Sequence, residues 1–280
     1  MLKLVILIIY FAVLIGIGLY CRKHATDVNG FVLGGRSVGP WLTAFAYGTS
    51  YFSAVVFVGY AGQFGWKYGI AATWAGIGNA IIGSLLAWVV LGRRTRIMSQ
   101  HLDSATMPQY FGKRFGSNPL KIGASVIIFI FLIPYTASLY NGLSRLFGMA
   151  FNIDYSVCII IMATLTAIYV IAGGYMATAI NDFIQGIIML FGIVAVIAAV
   201  IHSKGGFMSA LQGLANVSDP AVSDTPGIFA SFFGPDPFNL LCVVILTSLG
   251  TWGLPQMVQK FYAIDNEASI QKGTVISTIF

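Results

Sequence analysis

The stretch Gly173-Gly174-Tyr175-Met176-Ala177-Thr178-Ala179-Ile180-Asn181-Asp182-Phe183-Ile184-Gln185-Gly186 holds one acid between two long apolar runs. Residues 155–181 lie before Asp182 and residues 183–203 after it, and neither run carries another Asp, Glu, Lys or Arg. Each run is long enough to cross the roughly 30 Å hydrocarbon core as a helix, at about 1.5 Å per residue. The nearest acids on either side are Asp154 and Asp219. In a helix, Gln185 and Gly186 share the face of Asp182 at i+3 and i+4. An ionisable group at membrane depth is costly and usually functional. A carboxylate at a helix N-terminus, by contrast, is only a cap. The local chemistry leaves both readings of Asp182 open.

Outward from this stretch the same absence of charge recurs. Runs 4–21, 37–66, 68–92, 122–144 and 237–259 each reach membrane length, giving seven complete spans with the two beside Asp182. Residues 273–280 begin an eighth. Residues 205–218 are uncharged but Gly-rich, and Phe207, Leu211 and Leu214 fall on one face, so a short interfacial helix is expected there. Cys21-Arg22-Lys23-His24 follows the first run in place of a small-residue cleavage site, which favours a retained helix over a signal peptide. Residues 95–120 form the main loop, where Pro108-Gln109-Tyr110-Phe111 and Arg114-Phe115-Gly116 predict a short helix and a turn.

Composition agrees with a polytopic all-α membrane protein. Of 280 residues only 9% are charged while 58% are hydrophobic, and the mean hydropathy is +0.85. A soluble domain carries about 25% charge, and a disordered chain is far less apolar. Three cysteines, Cys21, Cys158 and Cys242, sit in apolar runs and do not describe a disulfide scaffold. Continuous rather than alternating apolar runs argue against a transmembrane barrel. Assigning alternate loops to opposite sides places Arg22, Lys23, Arg36, Arg93, Arg94, Arg96, Lys113, Arg114, Lys121, Lys260 and Lys272 together, against Lys3, Lys67, Arg145 and Lys204. The richer side is cytoplasmic, so a multi-pass cell-membrane protein with its N-terminus outside is expected. The net charge of +6 is then an orientation signal. It forms no basic nucleic-acid face, and no obligate protein partner is evident beyond the lipid bilayer.

Two spans are poor plain helices. One contains Gly48-Thr49-Ser50-Tyr51-Phe52-Ser53-Ala54 with Gly59 and Gly62 beyond; the other contains Thr247-Ser248-Leu249-Gly250-Thr251-Trp252-Gly253-Leu254-Pro255-Gln256. Gly and Pro inside a helix cost about 1 and 3 kcal/mol relative to Ala. Freed backbone groups at membrane depth are tolerated only where protein or a wet cavity satisfies them. Paired interrupted spans point to a transporter site, although single kinks and Ser/Thr contacts are also ordinary helix packing. The polar groups at the two breaks, Ser50, Tyr51, Ser53, Thr251, Trp252 and Gln256, are the candidate substrate contacts.

Together these residues resemble the sodium:solute symporter family. Phe31-Val32-Leu33-Gly34-Gly35-Arg36-Ser37 with Gly39-Pro40 is similar to the family's approach to its first core helix. Gly173 through Asp182 and Gln185 to Leu190 is similar to its signature, and Leu249-Gly250 through Pro255 with Lys260-Phe261 to its broken sixth core helix. The resemblance implies a leucine-transporter-like inverted-repeat fold: an extra helix at 1–21, a first five-helix repeat at 37–203, and a second repeat only begun at 237–280. A truncated or partial chain is therefore expected. The resemblance further implies sodium held by the backbone carbonyls of Thr49 and Phe52, with Ser50 and Ser53 beside them, and places Asp182 on the sodium route to the cytoplasm. The function it implies is symport: import of a small organic solute with sodium, by alternating access. Departures include Tyr51 where proline-type members carry an acid, no acid between Lys67 and Arg93 where sugar-type members carry one, and Gln256 where a His is common. No fixed cation is expected to face the site.

Three other readings stand beside this one. An intramembrane enzyme needs a nucleophile–base pair or metal cluster at depth, whereas His24, His101 and His202 all fall at loops or span ends. A channel-like protein would line a continuous pore, whereas polarity here gathers at two breaks. A non-transporting membrane fragment is the third.

Overall fold

Short polar residues and prolines mark most helix starts. Thr106, Ser117, Asp154, Asp236 and Asn266 each accept a backbone N–H from the first turn that follows. Pro40, Pro108, Pro119, Pro237 and Pro255 occupy the first turn, where a missing N–H costs nothing. The structure is a computed structural model that describes residues 2–52, 61–223 and 225–280. In chain order its helices are α1 (Leu2–Cys21), α2 (Val28–Leu33), α3 (Pro40–Tyr51), α4 (Ala61–Tyr68), α5 (73–101), α6 (Met107–Phe115), α7 (Asn118–Phe151), α8 (Tyr155–Ser203), α9 (Phe207–Ala215), α10 (Pro237–Leu249), α11 (Pro255–Ala263) and α12 (Glu267–Ile279). A turn with Gly69 at φ 60° separates α4 from α5, and α5 contains π-helical turns over Asn79–Leu86 and Trp88–Gly92. No strand occurs among the described residues; Val38 and Ile264 form an isolated bridge.

Three helical stretches, Ala61–His101, Asn118–Phe151 and Tyr155–Ser203, are long and apolar enough to cross a membrane, and Val5–Cys21 and Pro237–Leu249 are shorter apolar helices. At 49 residues, α8 would measure about 74 Å if straight, more than twice the roughly 30 Å to be crossed. It is broken at Gly174, with φ 57° and ψ −149°. This corrects the expected boundary. The two apolar runs part at Gly174 and not at Asp182, which sits eight residues further on, inside helix. The expected main loop is also largely helical. The α5 helix carries Arg93, Arg94 and Arg96 as far as His101, α6 covers the Pro108 segment, and Gly116 makes the turn at φ 62°.

Small residues bring α1 and α8 into close contact. A Cβ on Gly18 would lie 2.9 Å from the Cα of Tyr169, and one on Gly173 would lie 2.7 Å from the Gly18 carbonyl oxygen. Such approaches are what glycine provides where burial in lipid gives no hydrophobic drive between helices. The α3 helix packs against α8, α11 and α12, and α5 packs against α10 and α12. Ile8, Ile9, Phe129, Phe131, Phe191 and Val194 are exposed, as lipid-facing residues would be.

Two arginines tie one end of this bundle. Arg96 is 4% exposed. It donates to the Ile264 carbonyl (2.6 Å), the Asp265 carbonyl (2.9 Å) and Gln100 Oε1 (2.8 Å). Arg36 donates to the carbonyls of Tyr262 (3.3 Å), Ser99 (3.2 Å) and Ser104 (2.8 Å). Burial lowers the pKa of Arg36 from its ordinary value, opposed by Asp103. Alongside, the Val38 N–H donates to the Ala263 carbonyl and the Asp265 N–H to the Val38 carbonyl. The segment after α11 is thus clamped to the start of α3 and the end of α5.

Candidate functional site

The two breaks form where backbone chemistry demands them. After Tyr51 the chain leaves helical geometry at Phe52, with φ −89° and ψ 65°. After Leu249, residues 250–254 form turns until Pro255 opens α11. Tertiary packing then joins them. The Tyr51 hydroxyl donates to Asn79 Oδ1 and lies 3.2 Å from the Thr247 carbonyl oxygen. Asn79 Nδ2 donates to Thr247 Oγ1 at 3.0 Å and to the Ala75 carbonyl. Trp252 Nε1 donates to the Ile82 carbonyl at 3.0 Å, and the Thr251 hydroxyl to the Ser248 carbonyl at 2.9 Å. Phe52, Trp252 and Leu254 pack on one aromatic cluster that includes Tyr47, Tyr51, Trp88 and Phe261. Gly83 makes room for it, since a Cβ there would overlap the Tyr51 hydroxyl.

This site leaves polar atoms unsatisfied. Gln256 Nε2 and Oε1, Ser248 Oγ and Trp88 Nε1 are buried without a hydrogen-bond partner. Each such group costs about 1–3 kcal/mol in a native protein, a cost that a polar ligand bound between the breaks would remove. Ser50 is half-buried at the last turn of α3. Ser53 lies outside the described residues.

The ion candidates are brought to one interface. The Thr49 hydroxyl donates back to the Phe45 carbonyl at 2.9 Å, and its methyl group faces Gly186, where a Cβ would lie 3.1 Å away. Gly186 is one helical turn beyond Asp182, so the end of α3 meets α8 close to the acid. Thr49 lies in the last turn of α3 and Phe52 just after it, at the end of the helix. Their carbonyls are hard oxygen donors of the kind sodium accepts. Asp182 does not cap a helix. Its Oδ2 lies 3.5 Å from Lys260 Nζ, across from α8 to α11.

Several of these contacts lay outside the sequence reading. Lys260 enters the sequence reading as a cytoplasmic-side charge and as part of the Lys260-Phe261 motif; in the structure it is 6% exposed and its ammonium lies 3.5 Å from Asp182 Oδ2. Asn79 drew no notice, yet an amide within the apolar run 68–92 is the signal that would have found it. Asn181 is buried with neither amide atom paired, and Tyr175 is buried with its hydroxyl unpaired.

The model of the sodium:solute symporter family matches residues 31–280. The osmoregulated proline transporter OpuE of Bacillus subtilis (strain 168) is 31% identical over 259 residues, which is 91% of this chain and 51% of that protein. A sodium/proline symporter of Staphylococcus aureus (strain JH9) is 32% identical over 282 residues, 96% of this chain and 51% of that protein. The chain spans about half the length of these curated relatives. Among solved structures, the substrate-bound outward-open state of a Na+-coupled sialic acid symporter superposes with TM-score 0.77 at 17% identity, covering 100% of this chain and 57% of that one. That likeness carries the fold.

Proposed function

This chain belongs to the sodium:solute symporter family, and from that premise we propose that it works in the sodium-coupled import of a small organic solute by alternating access. Family membership sets aside the enzyme reading. One observation carries the proposal. Two helix breaks far apart in sequence are held together through Asn79, and beside them a buried Gln256 amide waits without a partner. In this reading residues 37–203 are the first five-helix repeat, 1–21 the extra helix, and 237–280 the start of the second repeat. Ser50, Tyr51, Ser53, Thr251, Trp252 and Gln256 face the solute. The Thr49 and Phe52 carbonyls hold sodium, and Asp182 stands on its way out.

Proline, the solute in the relatives' names, is the first probe to use, by uptake of the radiolabelled compound into cells expressing the protein. Tyr51→Phe and Gln256→Ala are expected to raise the apparent KM for solute a few-fold to tenfold, the effect of one hydrogen bond worth about 0.5–1.5 kcal/mol. Sodium half-saturation should move less. A shift confined to sodium would remove these two residues from the solute site. Uptake that saturates and follows the sodium gradient identifies a carrier, and flux insensitive to competing solute identifies a pore.

The orientation with the N-terminus outside is part of the same proposal and follows from the Lys/Arg asymmetry. Cys21 and Cys158 are buried and Cys242 is exposed, so Cys242→Ser supplies the background. Lys67→Cys and Lys204→Cys are expected to react with an impermeant thiol reagent added to intact cells, and Gln100→Cys only after permeabilisation. All three side chains are exposed. External labelling at position 100 would reverse the assignment.

A further inference from the structure

Two ion pairs occur among the described residues. Arg93–Glu267 is exposed on both sides. Lys260–Asp182 is not: the side chains are 8% and 23% exposed, and the atoms stand 3.5 Å apart. That separation is long for an ammonium–carboxylate hydrogen bond, which closes to about 2.7–2.9 Å. The ammonium also stands 5.2 Å from the centre of the Tyr175 ring, within the roughly 6 Å over which an aromatic face attracts a cation. From this one position Lys260 has two partners within reach, the carboxylate and the ring. Its four-carbon stem lets a compact charge move between them, which the rigid fork of an arginine would not.

A buried carboxylate has room for one monovalent partner. With both sodium and the ammonium beside it, the site would carry a net positive charge away from water, at high cost. We infer that Lys260 is a tethered competitor for sodium at Asp182: it neutralises the carboxylate when no ion is present, and by returning from Tyr175 it displaces sodium toward the exit. This inference rests on the proposed place of Asp182 on the sodium path. It gives Lys260 a positioning role that the two helix breaks do not call for. A competitor engaged about nine-tenths of the time masks the affinity of a site about tenfold.

Equilibrium binding and dissociation of radioactive sodium, measured on the protein in proteoliposomes, test this. Lys260→Gln is expected to tighten sodium binding about tenfold and to slow dissociation. Lys260→Arg, able to grip the carboxylate with two parallel bonds, should weaken binding. Asp182→Asn should weaken it, and Asp182→Asn with Lys260→Gln should match Asp182→Asn alone. The double substitution leaves no lone buried charge, so it keeps the comparison open if Lys260→Gln fails to fold. Sodium affinity unchanged in both Lys260 variants, with Asp182→Asn still weakened, would reduce Lys260 to a structural counter-ion and overturn the inference alone. Affinity unchanged in Asp182→Asn as well would overturn the sodium path itself, as would a wild-type protein that binds no sodium.

Discussion

Gly174→Ala is expected to destabilise the protein by on the order of 4 kcal/mol, combining backbone strain with overpacking. The backbone at Gly174, φ 57° and ψ −149°, lies in a region that residues with a Cβ scarcely enter. Space is lacking too. A Cβ there would stand 2.7 Å from the Phe31 carbonyl oxygen and 3.1 Å from the Phe31 Cα, both backbone atoms of α2. Either α2 moves away or α8 straightens, and a straight α8 is too long for the membrane. The check is the unfolding midpoint of the purified protein in detergent at a fixed heating rate. Gly192→Ala is the control, since a Cβ there meets nothing within 4 Å and alanine is the better helix former. Equal midpoints for wild type and Gly174→Ala would show that the break does not depend on glycine.

Arg96→Ala should have a comparable or larger effect, about 5 kcal/mol or more. Hydrogen bonds from a charged donor contribute about 1.5–3 kcal/mol each, and an orphaned buried acceptor costs about 1–3 kcal/mol more. Arg96 supplies three such bonds, and one acceptor is the carbonyl of fully buried Ile264. No carboxylate faces the guanidinium within ion-pair distance among the described residues, so the interaction is geometric: one planar fork against two successive carbonyls. Arg96→Lys keeps the charge and loses the fork, and it should recover less than half of the lost stability. Full recovery by lysine would mean that charge alone is needed there. The same midpoint measurement distinguishes the two outcomes.

Gly174 and Lys260 show where reading the chain residue by residue stops. A count of charge-free residues finds Asp182 between two apolar runs and puts the helix boundary there, because hydropathy registers the charge and not the backbone. The actual break lies at Gly174, where the chain passes close to α2. Lys260 ends an apolar run and so resembles a loop cation until the fold brings Asp182 of α8 against it. Asn79 shows in the sequence only as an amide within an apolar run; its partners Tyr51 and Thr247 are 28 and 168 residues away, so what it joins does not show.

What the sequence determined by itself is whatever acts within one segment. It set the all-helical membrane class through the length and continuity of its apolar runs. It placed the two interruptions near residues 52 and 250–255, because Gly, Ser, Thr and Pro weaken a helix wherever they sit. It also marked the polar groups at both breaks as candidates for a ligand. The tertiary structure alone decided which of these meet. Tyr51 reaches Thr247, Thr49 approaches the turn after Asp182, Asp182 lies against Lys260, and the two arginines close on carbonyls at and after the end of α11. The physical reason is range. Helix propensity and hydropathy are sums over neighbouring residues, whereas a hydrogen bond or a buried ion pair depends on positions within about 3–4 Å that only packing of distant helices can set.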